Sequence, residues 1–426
     1  MRLLKLFALC IYIINLPLLK SDDKIKIGIS TFLSGGAASS FGIPLKKGLE
    51  FMFNAVNNGE VPAPYNSPGI GGKQISYFFI DESGGATKQV AEFRNMVQRQ
   101  NVDVIMGYIS SGDCLAIPSV AEELKQLTVL IDCGTPRVFE EASYKYVFRT
   151  GPHAAMDNVA GALYLKRKGI TPKKIAAINQ NYAFGQDSWA DFKYSIEAIF
   201  SGTKIVSEQF PKLFAGQYGT EISALMVSRP DLIHSSLWGG DLESFVIQAN
   251  ARGLFRNSKV FLSAADHVLP TLGKNMPNGV IIGARGPHGD LAPDTKLANW
   301  FKESLKKELN IKVTTQPMHK GAMAVLFLKK AFDDLFYKTG SFPSKEEVID
   351  YMEYLKWDTP SGMAEMALGK GHQAIQSQAI GITKWDKDEK RVKIVDIEYF
   401  NARCVNPPEN ISAIDWIKGG FKGAKC

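Results

Sequence analysis

The sequence predicts an α/β protein built as two doubly wound parallel-sheet lobes joined by a multi-strand hinge. Three observations predict it. Runs with strand-like alternation and runs with helix-like 3.6-residue spacing follow one another along most of the chain. The series pauses near residue 150 and starts again at similar length. The 426 residues also exceed what one hydrophobic core supports, since cores stop growing at about 250–300 residues.

Residues 24–30 (KIKIGIS) alternate isoleucine with polar or small residues, the pattern of a strand. Residues 41–57 then place Phe41, Leu45, Leu49, Met52, Phe53 and Val56 on one helical face. A Pro/Gly-rich insertion at 61–72 leads to a strand at 74–80 and a helix over 87–100 carrying Val90, Phe93 and Val97. A strand at 102–107, a helix at 113–125 and a strand at 127–132 continue the βα pattern. After 145–150 the second series has helices at 155–168, 187–200, 219–228 and 242–252, the last stopped by Gly253. Its strands are expected at 174–179, 203–210, 231–238 and 259–263. Beyond about 283, helices are expected at 300–309, 318–338 and 345–355, and strands at 379–384 and 393–399. The expected lobe one is 22–150 plus about 284–375, and lobe two is 151–283 plus about 376–400. Residues 401–426 form a C-terminal tail.

Residues 1–21 have the layout of a secretory signal peptide: Arg2 and Lys5 precede an apolar run from Leu6 to Leu16 that is short for a membrane span. Cys10 belongs to that discarded segment. Export permits disulfides, and four cysteines remain. Cys404 and Cys426 bracket the tail and are expected to pair. Cys114 and Cys133 each follow a strand, and either pair or stay as buried thiols. None has zinc-ligand spacing.

Composition narrows the function. With 45% hydrophobic and 22% charged residues the chain is neither disordered nor fibrous. The formal charge of +7 includes Arg2, Lys5 and Lys20, so +4 remains on the mature chain, interleaved with acids rather than clustered. That balance does not indicate a nucleic-acid partner. There is no H-E-x-x-H, no P-loop and no G-x-G-x-x-G, and Ile109 stands where a G-x-S-x-G elbow at Ser111 needs its first glycine.

In open parallel sheets, ligands bind beyond the carboxyl ends of strands. Ser111, opening a helix after the third strand, is a candidate anion contact, with N-capping by Ser111 or Asp113 as the structural alternative. The next strand ends in Cys133-Gly134-Thr135-Pro136-Arg137, which brings a second hydroxyl and an arginine to the same edge; that arginine is equally a solvated loop residue. The turn Ser34-Gly35-Gly36-Ala37 lies there too. Phe41, Phe184 and Trp238 are candidates to wall a cleft, whereas Trp189 reads as core.

These residues carry a resemblance. IKIGISTFLSGGAASSFGIPLKKGLEFMFNAVN resembles the opening of the type I periplasmic solute-binding proteins of the branched-chain amino-acid (leucine/isoleucine/valine-binding) ABC transporter class. The likeness continues through IDESGGATKQV, VDVIMGYISSGDCLAIPSVAEE, LIDCGTP, KYVFRTGP, NQNYAFGQDSW and LWGGDLESFVIQANARGL, covering about Ile25 to Val280. It implies two lobes that close on a small solute and deliver it to a membrane permease and its ATPase, with no cofactor and no catalysis, as a monomeric periplasmic protein. It implies Ser111 on the ligand carboxylate, Thr135 on carboxylate and ammonium, and a backbone group from Cys133. Phe41 and Phe184 match wall positions, and Trp238 and Asp241 lie where lobe two lines the cleft. The acidic residue that pairs with a ligand ammonium falls at Ala265, with Asp266 one position on, so the carboxylate half of the site is better kept than the amine half. The expected ligand is a branched-chain or similar amino acid; a non-amino organic or aromatic acid, or an amide, is the alternative. A ligand-sensing receptor module and an exported hydrolase using Ser111 are the rival classes.

Overall fold

The structure is a computed structural model that describes residues 24–426; the segment expected to be a signal peptide, with Cys10, lies outside the described residues. Alternating isoleucines make β1 (Lys24–Thr31) a strand, with Ile25, Ile27 and Ile29 buried. It pairs in parallel with β2 (Gln74–Asp81) and β3 (Val104–Gly107), and β4 (Thr128–Leu130) and β5 (Val147–Arg149) extend the same parallel sheet. The second sheet contains β6 (Lys174–Ile178), β7 (Lys204–Gln209), β8 (Leu232–Ser235), β9 (Lys259–Leu262) and β10 (Ile281–Gly283), all parallel.

The chain then returns to the first sheet. Helices Lys296–Leu309 and Gln316–Thr339 bury Phe301, Leu305 and Leu326 in the core under β1. Helix Gln316–Thr339 crosses helix Ile43–Asn58 closely, because Gly48 has no Cβ; one built there would lie 2.8 Å from Met318 Cα. The insertion at 61–72 docks on this helix: Lys329 Nζ donates to Ser67 O and Gly69 O, each at 2.8 Å, and pairs with Asp333 at 2.7 Å.

An antiparallel meander, β11 (Lys356–Thr359), β12 (Gly362–Leu368) and β13 (Gln373–Gln376), completes the eight-stranded first sheet in the order β11-β12-β13-β5-β4-β3-β1-β2. Ser377 alone separates β13 from β14 (Gln378–Asp386), which pairs with β10 and with β15 (Arg391–Phe400). The seven-stranded second sheet runs β15-β14-β10-β9-β8-β6-β7. The chain thus passes between the sheets three times, after β5, after β10 and at Ser377. The predicted two-lobed α/β class is the fold observed. The meander was not predicted.

Both cysteine pairs are bonded, Cys114 to Cys133 and Cys404 to Cys426. The stapled tail presses Ala413, Trp416 and Ile417 into the second lobe's core, against helix Ala183–Ile199. Among the described residues, no helix is long and apolar enough to cross a membrane.

Candidate functional site

The carboxyl ends of the two parallel sheets face each other, so the loops after the strands meet between the lobes. From the first lobe Phe41, Ile109, Gly134 and Gln316 line a small cavity. From the second lobe come Tyr182, Phe184, Trp238 and Ala264, and Arg285 enters from the crossover after β10. The cavity measures ≈ 10 Å³, space for about one water.

The lobes are shut against each other. Gly240 N–H donates to Gly36 O at 2.8 Å, and the Thr135 hydroxyl donates to Asp187 Oδ2 at 2.6 Å. Trp238 stacks across the divide, its ring 5.6 Å from Phe41 and 5.9 Å from Phe32. Its Nε1 donates to Tyr182 OH at 2.7 Å, which fixes the indole in the wall. His267 completes the cluster 4.9 Å from Phe41; its Nε2 accepts from Gly239 N, and burial lowers its pKa to about 3, so the ring is neutral.

Arg285 is the cavity's charged group. Its Nε donates to Asp157 Oδ2 at 3.0 Å, its Nη1 to Asp132 O and Oδ1 at 2.5 and 2.8 Å, and its Nη2 to Pro152 O at 2.6 Å. Burial opposes its charge, but Asp132 and Asp157 outweigh burial and hold its pKa above the ordinary value. The Phe184 ring lies 5.0 Å from its Cζ, a cation–π contact. A Cβ at Gly134 would sit 2.4 Å from Phe184 and 2.9 Å from Arg285 Nη2, so this close approach needs glycine.

The residues singled out from sequence divide in two. Phe41, Phe184 and Trp238 line the cavity. Ser111 lies behind the lining, as the first helical residue rather than a cap, and its Oγ accepts from Gly134 N and Thr135 N, each at 3.1 Å. Glu82 presents that loop by accepting from Ile109 N and Ser110 N, each at 2.7 Å. Thr135 spends its hydroxyl on Asp187, and Cys133 O accepts from Arg149 Nη1 at 3.1 Å. Asp241 holds the 214–216 loop, accepting from Phe214 N and Gln180 Nε2. Asp266 accepts from Gln316 N at 2.7 Å, and burial pushes its pKa well up. Arg137 faces solvent and pairs with Glu141. Tyr182 lies within the NQNYAFGQDSW stretch but was not singled out there, and Arg285 and Gln316 carried no sequence motif; the crossing of the chain brings those two here.

A family model described as periplasmic binding protein matches residues 24–390. The chain belongs to the periplasmic binding protein family. A solute-binding protein of an ABC transporter from Rhodopseudomonas palustris BisB5, in complex with 3,4-dihydroxybenzoic acid, is similar over 89% of this chain and 98% of that one, with TM-score 0.76 and 20% identity. An R. palustris relative in complex with 4-hydroxybenzoate reaches TM-score 0.74 at 22% identity over 89% of this chain and 98% of that one. A leucine-binding protein from Thermotoga maritima MSB8 reaches 0.71 at 18% over 88% and 98%. At these identities the likeness establishes the fold. No curated protein matches the chain in sequence.

Proposed function

We propose that this protein is the extracytoplasmic solute-binding component of an ABC importer, a monomer that traps a small aromatic or apolar carboxylic acid between its lobes and presents it to a membrane permease. The observation that carries the ligand class is Arg285 set among aromatic rings. Among the described residues, the lining holds one cation and no carboxylate. Of the five guanidinium N–H groups, Nε, both on Nη1 and one on Nη2 are spent within the protein, which leaves one N–H for an incoming carboxylate. Ser111 Oγ accepts two amides and keeps its own proton to donate. Phe41, Phe184 and Trp238 supply faces for a flat body.

An ammonium group would meet no counter-ion here, because Asp266 turns to Gln316 N and Asp241 to the 214–216 loop. The complexes of the two R. palustris relatives with hydroxybenzoates support the acid reading. Ser111 is bonded by amide donors rather than by a base, which speaks against the hydrolase.

Calorimetric titration with benzoate, 4-hydroxybenzoate and leucine tests the reading. The hydroxybenzoate is expected to bind, leucine not to, and Arg285→Gln to weaken the acid at least about tenfold, the loss of a charge-assisted bond. Leucine binding in place of the acids would overturn the ligand class, and a folded protein that takes up no small solute would overturn the transport role.

A further inference from the structure

A larger cavity lies outside the cleft. It measures about 330 Å³, within the range of small-molecule sites, and forms where the loop after β4, the first crossover, the β12–β13 turn and the C-terminal tail meet. Phe139, Leu368 and Ile411 give it an apolar wall, His153 its buried side, and Glu140 and Lys370 a rim with charges of both signs. The tail residues lie beyond the 24–390 span of the family match, so this cavity is walled in part by chain outside that span.

Two buried nitrogens on this side have no partner. His153, 2% exposed, leaves Nδ1 unpaired. Arg149 stands behind, fully buried, with Cζ 5.6 Å from the Phe139 ring; Cys133 O, Thr135 O and Gln373 Oε1 take its other N–H groups, and Nη2 is left over. Burial, reinforced by Arg149 and Arg285, lowers the His153 pKa far below the usual value, so the ring is neutral and can present a nitrogen to a polar group. At the rim, Glu140 Oε1 accepts from Ala413 N at 2.7 Å, while Lys370 is exposed. Unmet donors within, opposite charges at the mouth and one apolar wall complement a molecule that carries both charges and a short hydrocarbon group.

We propose that this cavity is a second ligand site, for a small zwitterion of amino-acid type, with its carboxylate toward His153 and Lys370, its ammonium toward Glu140 and its side chain on Phe139, Leu368 and Ile411. The site is independent of the cleft reading. Its walls belong to both lobes, since Phe139 packs on the first lobe's cluster and Leu368 ends β12 of the first sheet, while Leu368 also packs into the second core and Ile411 leads into the tail docked there.

The test is calorimetric titration of the whole protein with the common L-amino acids. Each is paired with its amine-free acid and its carboxylate-free amine, isovalerate and isobutylamine for valine. At least one amino acid is expected to bind, with both truncated analogues at least about tenfold weaker. Glu140→Gln and the exposed Lys370→Ala should each weaken it, Ser143→Trp at the rim should abolish it, and Trp238→Ala, which touches none of this cavity's lining, should leave it within about twofold. No binding by any amino acid to folded protein overturns the proposal. So does binding that survives Ser143→Trp and is lost in Trp238→Ala, which would place the amino acid in the cleft.

Discussion

Lys320 brings an ammonium into the hinge fully buried. Its Nζ lies 3.7 Å from Asp132 Oδ1 and has no hydrogen-bond partner. Burial lowers its pKa to about 7 against the pull of Asp132. An unfolded lysine keeps its proton to about pH 10.4. From about pH 7 to 10 the unfolded chain therefore binds more protons than the native one, and this group makes stability rise with pH, by at most about 1.4 kcal/mol per unit. Below about pH 7 both states hold the proton and the slope from Lys320 vanishes. Lys320→Met should flatten that rise while Asp132 keeps Arg285 and Gln316 as partners. Urea unfolding of parent and variant at about pH 7.5 and 9 measures it, and equal slopes would refute the assignment. At this scale the sequence is only partly legible. Phe41, Phe184 and Trp238 stand out as aromatic residues just past strand ends. Arg285, Gln316 and Lys320 belong to no motif, and their roles arise from a crossover and a helix that return to the first lobe from far along the chain.

The βα units are legible because each strand and helix shows its own period, and helix bounds differ from expectation by a few residues, as for Gln316–Thr339. The meander is not, since β12 reads GMAEMAL, rich in good helix formers, and becomes a strand through pairing with β11 and β13. The tail was legible from its cysteines, and its docking was not. Helix Ala413–Lys418 is only six residues, too short to persist alone. It depends on burying Trp416 and Ile417 and on the staple. Closing a loop with a sequence separation of 22 is worth about 3 kcal/mol in the chain-entropy view. Cys426→Ser should therefore loosen the tail ahead of the lobes. Limited proteolysis with mass spectrometry should find new early cuts after residue 400 while the two sheets stay intact. An unchanged cleavage pattern would show that packing alone holds the tail.

Three crossovers join the two lobes, and a buried ion ties the first two of them together. Arg285, on the second crossover, bonds Asp132 of the first lobe, Asp157 of the second and Pro152 on the first crossover, so a hinge motion that parted the lobe tips would keep its charge paired at the pivot. The tips meet through backbone: Gly240 N–H on Gly36 O, with Gly239 against Ala37. In that arrangement the cavity of ≈ 10 Å³ cannot take even a benzoate, so the tightly shut form competes with ligand. When only a fraction of molecules is competent, apparent affinity falls by that fraction. A methyl group at Gly240 would stand 2.8 Å from Gly36 O and prop the tips apart. Gly240→Ala is thus expected to tighten the binding of 4-hydroxybenzoate severalfold, and to raise the radius of gyration of the acid-free protein in small-angle scattering. Weaker binding in this variant would mean that the Gly36–Gly240 contact is kept in the complex, and that closure on a solute reaches the same tip contact by moving the aromatic wall instead.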